Sequence, residues 1–155
     1  MHYICNANGD ITWTAYEAYL DSIRAQLPPH IWAFAVDKRH YNLDARQSLH
    51  DAWLQECRVV ETATGSRQEI RQTEIHLRLL GPWHDRLIHL HYLGVRQYTM
   101  IQGDSADWHG DLLLHEVRLN DGLIVHEMVF DHGARIQIAC TDLRHTQTML
   151  DSPAP

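Results

Sequence analysis

The segment spanning residues 112–143 constrains the fold more than any other part of the chain. It reads LLLHEVRLNDGLIVHEMVFDHGARIQIACTDL, and it contains three runs in which apolar and polar residues alternate, separated by two glycine-containing turns. A period of two is typical of half-buried β-strands, and glycine allows the backbone conformations of tight hairpin turns. The segment therefore predicts three consecutive antiparallel strands.

The two turns also predict a register. A two-residue turn at Asp121 and Gly122 pairs the first two strands, and a three-residue loop at 132–134 pairs the second and third. The predicted pairs are Leu119 with Ile124, Val117 with His126, His115 with Met128, Leu113 with Phe130, Asp131 with Arg135, Phe130 with Ile136 and Met128 with Ile138. This register gathers the apolar side chains on one face of the sheet.

The first part of the chain predicts two helices and additional strands. Thr14 and Glu17 have the spacing of a capping box, and apolar residues follow at helical intervals until Pro28. Ser48 and Asp51 repeat this spacing and predict a second, shorter helix. Further strands are predicted at residues 31–36, 58–62, 69–80 and 86–95.

These elements predict a single α+β domain over residues 1–148, followed by a disordered tail at 149–155. An antiparallel β-meander of about five or six strands would pack its apolar face on two N-terminal helices, as a two-layer structure. A chain of 155 residues, 45% of them hydrophobic, is long enough to form one core.

The composition excludes several classes of protein. The formal net charge of −7 is opposite to the basic surface that a nucleic-acid-binding protein needs, and it suits a basic protein partner instead. No apolar run approaches the ~20 residues of a membrane span, and the first residues lack the features of a signal peptide. The cysteines, Cys5, Cys57 and Cys140, are odd in number and far apart, which predicts free thiols. We therefore expect a cytoplasmic protein that binds neither nucleic acid nor a membrane.

Four histidines raise the question of a metal site. In the predicted register, His115 and His126 are diagonal neighbours on the apolar face, ~7 Å apart. Zinc or iron would need a third ligand, for which His89 and His91 on another strand are candidates. Alternatively, the imidazoles are buried, neutral and hydrogen-bonded within the core. Chance pairs are expected among 13 histidines, so the second interpretation is favoured and no metal or cofactor is predicted.

Two glutamates in the same hairpin are predicted to oppose each other. Glu116 and Glu127 would lie on the outer side of the sheet, where directly opposed like charges are destabilising. Arg118 on the same face is the simplest compensation, and a basic group from a partner is the alternative. A carboxylate pair for glycoside hydrolysis is a third interpretation, although such a pair would need a cleft.

No recognisable catalytic motif is present. The sequence contains neither a nucleophile elbow nor a glycine-rich phosphate loop, which favours a non-enzymatic function. The acidic loop GDSADWHGD, residues 103–111, contains the best candidate binding cluster, because exposed tryptophan is typical of binding hot spots.

Much of the chain also resembles a family of small bacterial proteins without an established activity. The resemblance covers about residues 48–143 and rests on the strings SLHDAWLQ (48–55), LLGPWHDR (79–86), HYLGVRQY (91–98), GDLLLHEVRL (110–119) and VHEMVF (125–130). It implies no catalytic residues. In size, acidity and α+β layout the chain is similar to the immunity proteins that bacteria make against their own secreted toxins.

The leading hypothesis is therefore a small acidic binding protein that neutralises a basic toxin by occlusion. The residues predicted to bind the partner are Asp104, Asp107, Trp108, Asp111, Glu116 and Glu127. Two alternatives remain open at this point. One is a histidine-dependent metal-binding enzyme, and the other is a homo-oligomeric domain, such as a homodimer, without catalytic function.

Overall fold

A computed structural model describes residues 1–5, 8–103 and 108–150 of the chain. Within these residues the chain forms two α-helices, α1 (Trp13–Ile23) and α2 (Pro29–Ala35), and eight β-strands. The strands are β1 (Trp53–Thr64), β2 (Ile70–Leu80), β3 (Arg86–Leu93), β4 (Gln97–Ile101), β5 (Leu112–Asn120), β6 (Leu123–Phe130), β7 (Arg135–Cys140) and β8 (Asp142–Met149). Short 3-10 helical turns lie at Arg24–Gln26, Lys38–Tyr41 and Asp131–Gly133.

The strands form two antiparallel sheets of four strands each, ordered β1-β2-β3-β8 and β4-β7-β6-β5 in the described residues. Strand β3 pairs with β8 and β4 pairs with β7, so one long bent pair of strands passes from the first sheet into the second. At the bend Gly94 has a φ of +58°, and a Cβ there would collide with the side chain of Thr141. The α+β class is confirmed, whereas the predicted two-layer meander of five or six strands is replaced by two sheets.

Helix α1 is confirmed, but the predicted strand at residues 31–36 is wrong. This segment forms helix α2, which begins at Pro29 and buries Ile31, Phe34 and Ala35. Proline at the first helical position is preorganised for a helix. A short apolar run does not distinguish a buried strand from one buried turn of helix, so its spacing was misleading.

The predicted second helix at Ser48 is also wrong. The Ser48 hydroxyl donates to the carbonyl of His40 and accepts from the backbone N–H of His50, which forms a turn. Asp51 follows with a φ of +63°, a left-handed conformation that ends any helix. Strand β1 begins two residues later at Trp53.

The predicted β5–β6 register is confirmed from Leu119 to His115. Near Leu113 the pairing is irregular, so that Leu112 lies opposite Phe130 where Leu113 was predicted. In the next hairpin Met128 pairs with Ile136 and not with Ile138, because the turn lies one residue earlier than predicted: the Phe130 N–H donates to the Ala134 carbonyl, which leaves residues 131–133 as the loop. A shift of two residues leaves every side chain on its predicted face.

Three tyrosines and a loop hydrogen-bond the outer edge of β5. The N–H of Val117 donates to the Tyr16 hydroxyl, and the N–H of Leu119 donates to the Tyr19 hydroxyl, each at 2.8 Å. The Tyr41 hydroxyl donates to the carbonyl of His115 at 3.1 Å. Farther along, the backbone of residues 51–52 bonds both the N–H and the carbonyl of residue 112. Helix α1 and the turn after α2 are thereby fastened to the second sheet.

The remaining predictions concern the number of strands, the C-terminal tail, the cysteines and membrane-spanning segments. Strands β4 and β8 were not predicted, and Met149, placed in the tail, belongs to β8. The rest of the predicted tail from 151 onward lies outside the described residues. The three cysteines are free, as expected. Among the described residues no helix is both long and apolar enough to cross a membrane.

Candidate functional site

Glu116 and Glu127 pair directly across β5 and β6, as predicted, but they are not on an exposed face. Their exposed fractions are 0% and 2%. Residues 1–4 lie over them, so a partner cannot reach either carboxylate in this structure. The predicted partner-binding role of Glu116 and Glu127 would therefore require the first residues of the chain to leave this surface.

The Glu116 carboxylate binds the backbone of the first residues. It accepts hydrogen bonds from the N–H groups of His2, Tyr3 and Ile4 at 2.8 to 3.1 Å. Hydrogen bonds to an ionised group are stronger than those between neutral groups. Glu116 therefore anchors the chain's start to the second sheet.

Glu127 is compensated by three cationic groups, the most distant of which is Arg135, with Nη1 3.5 Å from Oε1. The amino group of Met1 lies 2.7 Å from Oε1, and Nη1 of Arg118 lies 2.9 Å from Oε2. Burial alone would raise the pKa of the Glu127 carboxyl, but these cations outweigh it, so that the pKa is lowered. Arg118, also 3.6 Å from Glu116, has the compensating role predicted for it, whereas the Met1 amino group had no signal in the sequence.

A second feature is an aromatic surface at one end of the sheets, which we call the tryptophan surface. It consists of Trp53, Trp83 and Trp108 with Asp51, Asp111 and Asp131. The three indoles are 38%, 53% and 56% exposed. The Trp53 ring lies 6.2 Å from that of Trp108 and 4.4 Å from that of His84, the residue after Trp83. Of the predicted binding cluster, Trp108 and Asp111 belong to this surface, while Asp104 and Asp107 lie outside the described residues.

Hydrogen bonds fix the acidic part of the tryptophan surface. The Trp53 indole N–H donates to Oδ1 of Asp111 at 2.6 Å. The backbone N–H of Asp131 donates to the carbonyl of Asp111, and that of Asp51 donates to the carbonyl of Leu112. The backbones of Asp51, Asp111 and Asp131, which come from three segments, therefore lie close together beside Trp53.

The third feature is a histidine cluster in the core, made up of His40, His115, His126 and His145. The four rings surround Phe34 at centroid distances of 4.8 to 5.6 Å. The predicted closeness of His115 and His126 is confirmed, with ring centroids 5.2 Å apart. The other two come from the turn after α2 and from β8, whose positions the sequence did not predict.

His89 and His91 do not join this cluster. Both lie on the outer face of β3, because side chains alternate along a strand and Leu90 and Tyr92 occupy the core face. The proposed third ligand for His115 and His126 is therefore wrong. Tyr92 contacts His126 instead.

A chain of hydrogen bonds links Tyr92, His126 and His115 in the core. The Tyr92 hydroxyl lies 2.7 Å from Nδ1 of His126, and Nε2 of His126 lies 3.1 Å from Nδ1 of His115. With the hydroxyl as donor, His126 carries its proton on Nε2 and donates it to His115, whose own proton is then on Nε2. This buried Nε2 has no protein hydrogen-bond partner among the described residues, and neither has Nδ1 of His40.

Burial makes all four imidazoles neutral at pH 7. It lowers the pKa of His40 and of His145 to about 4, and that of His126 to about 3. The pKa of His115 is also well below its ordinary value, first through burial and then through the neighbouring histidines. The cluster can therefore donate and accept hydrogen bonds without carrying charge.

An open cavity of about 650 Å³ lies beside the cluster. His40 and His145 form part of its wall, together with His30, Ala33, Phe34, Asp37, Arg39, Asp142 and Arg144. Asp37 binds Arg39, and Asp142 binds both His30 and Arg144, so the charges at the mouth are largely balanced. The cavity offers neutral imidazoles at its base to a polar ligand.

No protein-family model matches this chain, and no curated protein or solved structure is significantly similar to it. The resemblance of residues 48–143 to small bacterial proteins therefore stays a hypothesis. Function has to be argued from the three features above.

Replacing Glu116 by alanine should strongly destabilise the fold. The change leaves three backbone N–H donors, of which that of Ile4 is buried, without their acceptor and leaves Arg118 with one carboxylate fewer, at a cost of about 3–5 kcal/mol in the free energy of unfolding. Urea denaturation measures this value. Glu61→Ala is the matched control, since Glu61 forms an exposed pair with Arg71 and should cost less than about 1 kcal/mol. Equal losses for the two variants would contradict the anchoring role.

The histidine cluster should make the protein sensitive to mild acid. Unfolded histidines titrate near ~6.5 but the folded ones resist protonation, so the unfolded state binds more protons as pH falls from about 6.5 towards about 4. The free energy of unfolding should therefore drop by at least about 3 kcal/mol between pH 7 and pH 4.5. Urea titrations at a series of pH values measure it.

Two variants test whether the histidine cluster causes this loss of stability with falling pH. His145→Gln should make the decline shallower, whereas His132→Gln, a substitution on an exposed loop, should leave it unchanged. Carboxylates such as Asp37 and Asp85, whose pKa is lowered to about 2, lose their stabilising effect only below this window. A flat profile between pH 7 and pH 4.5 would show that the cluster is not neutral and buried in solution.

Proposed function

We propose that the protein is a non-enzymatic binding protein that holds a basic protein partner against the tryptophan surface. The observation that carries this proposal is the contact between two exposed indoles from separate segments, Trp53 and Trp108, with the exposed Trp83 on the turn whose next residue, His84, packs on Trp53. Large apolar side chains are normally buried, so neighbouring exposed indoles at the surface call for a binding explanation.

The exposed aromatic area is comparable with that of functional patches on soluble proteins. Taking about 200 Å² for each tryptophan, the exposed fractions leave roughly 300 Å² of aromatic surface open to solvent. Patches of that size on soluble proteins are often functional. Tryptophan is also among the residues that contribute most to binding energy at protein interfaces.

The indoles are held in place before any partner arrives. Asp111 fixes Trp53 through its indole N–H, and the ring of His84 packs against the same indole at 4.4 Å. The guanidinium of Arg46 lies over the ring of Trp83 at 4.9 Å and is paired with Asp85. Preorganised side chains lose little conformational entropy on binding, which favours affinity.

The charges around the indoles favour a basic partner. Asp51, Asp111 and Asp131 lie beside Trp53, and the nearby Arg46 is already neutralised by Asp85. The net charge of the chain is −7. Complementary charge steers association and raises the association rate, and salt screens it.

Within this class we propose an immunity protein that blocks a toxin by occluding its active site. Support comes from the acidity, the small size and the resemblance over residues 48–143. An occluding complex of standard size would bury about 1,600 Å² in total, more than the tryptophan surface alone provides, so the surface would form its centre.

The double variant Trp83→Ala with Trp108→Ala tests this proposal. Both side chains are more than half exposed, so the fold should tolerate their removal. The basic protein that co-purifies with the wild-type chain from its source organism is identified, purified and titrated against each variant. We expect the double variant to bind at least about 30-fold more weakly, and wild-type affinity to fall between 50 and 300 mM salt.

Trp13→Ala provides the matched control. Trp13 is also 38% exposed, but it lies on α1 and packs against Tyr41, outside the tryptophan surface. Its removal should change affinity by less than about 3-fold. The proposal fails if no basic protein is recovered, if the double variant binds it normally, or if the wild type sediments as a dimer that the double variant cannot form.

A second candidate function is the binding of a small polar ligand in the cavity beside the histidine cluster. It is favoured by a separate observation, the two buried imidazole nitrogens of His40 and His115 that lack a protein partner. Buried polar atoms are normally hydrogen-bonded, and His40 also lines the cavity. Ligand-binding sites are commonly concave pockets with a few convergent polar groups.

Acetate and inorganic phosphate are the probes for this second function. Imidazole NMR signals of His40 and His145 should shift saturably on titration, because ligand atoms would enter their surroundings. The signals of His132, exposed and outside the cavity, should not move. Shifts of the same size at all three residues, or none at any, would rule out binding of these anions in the cavity.

A further inference from the structure

A group of potential metal ligands lies on the outer face of the first sheet, away from the core. His76 on β2 pairs directly with His91 on β3. Glu74 precedes His76 by two residues, so all three side chains project from the same face. Ile75 and Tyr92, their neighbours in the sequence, are buried on the opposite face.

The three side chains converge. One donor atom from each lies within 4.8 Å of the other two. Oε2 of Glu74 is 2.7 Å from Nε2 of His91 and 3.8 Å from Nε2 of His76. The two imidazole rings are stacked, with centroids 4.0 Å apart and planes inclined by 17°.

We propose that Glu74, His76 and His91 bind a divalent transition-metal ion of the zinc class. Two imidazole nitrogens and one carboxylate oxygen are a donor set that zinc uses when a coordination position remains open to water. The same set also suits cobalt, nickel and copper. Magnesium and calcium prefer oxygen ligands and do not fit it.

A neighbouring strand orients the carboxylate. The Thr62 hydroxyl of β1 lies 3.2 Å from Oε1 of Glu74. This contact holds one carboxylate oxygen and leaves Oε2 directed at the two imidazoles. Outer hydrogen bonds of this kind fix the orientation of metal ligands and contribute to metal affinity.

Two arginines lie on the strands that flank the group. Arg58 of β1 pairs with His76, and Arg144 of β8 pairs with His91. Arg144 is bound to Asp142.

The site is accessible to an ion from solvent. The side chains of Glu74, His76 and His91 are 18%, 32% and 29% exposed. An ion can therefore reach the three donors without opening the fold. The competing interpretation is that Glu74 and His91 form only an ion pair at the sheet surface.

Titration calorimetry with zinc chloride at pH 7.5 separates these interpretations. The wild-type protein should bind one zinc ion at this site, and His91→Ala or Glu74→Gln should weaken binding by at least about 10-fold. His89→Ala is the matched control, since His89 lies on the same strand and face but outside the group of three, and it should change affinity by less than about 3-fold.

Cobalt gives a second readout that needs no variant. Cobalt(II) added to the wild-type protein should produce visible absorption of a four- or five-coordinate ion, which zinc displaces. Thr62→Val should weaken zinc binding by about 10-fold while retaining the site. The proposal is overturned if wild-type protein shows no saturable zinc binding, if His91→Ala binds as tightly as wild type, or if His89→Ala loses as much affinity as His91→Ala.

Discussion

The fold depends on how the open edge of β5 is satisfied. An edge strand presents unpaired N–H and carbonyl groups, which must find partners elsewhere or remain exposed. Here the hydroxyls of Tyr16, Tyr19 and Tyr41 bind four of them, since Tyr16 contacts both the N–H and the carbonyl of Val117. Burial raises the pKa of Tyr16 and of Tyr41, so both keep the hydroxyl proton. The same contacts attach the helical part of the chain to the sheet and bring Phe34 and His40 up to His115.

The burial of Glu116 and Glu127 follows from this arrangement. With α1 held against β5, the first residues of the chain run across the outer face of the β5–β6 hairpin, where they cover both carboxylates. Two opposed carboxylates would destabilise the hairpin if nothing bound them. Backbone N–H groups bind one and cations bind the other, so the pair joins the chain's start to its second half.

The sequence predicted local pattern better than long-range contacts. Alternation identified β5, β6 and β7, placed His115 beside His126, and set Glu116 opposite Glu127. The sequence pattern failed at α2, where a short apolar run fits both a strand and a helix. It also failed at residues 48–51, where the spacing predicted a helix but Asp51 adopts a left-handed conformation that prevents one. Outward-facing glutamates were expected to be exposed because the covering residues are more than 110 positions away in the chain.

In each candidate site, some residues could be recognised from their local sequence, whereas others are brought there only by the fold. Trp108 could be singled out because an indole in an acidic loop is locally unusual. Its neighbour Trp53 comes from the start of β1, and His84, which packs on Trp53, comes from the β2–β3 connection, so only the fold brings them together. The histidine cluster likewise needs β8 and the turn after α2.

The closed edge of β5 also limits how two copies of this chain could pair, since addition of a strand there would require the tyrosine hydroxyls to leave. Binding by this protein is therefore better served by side chains at the sheet ends and faces than by its β5 backbone.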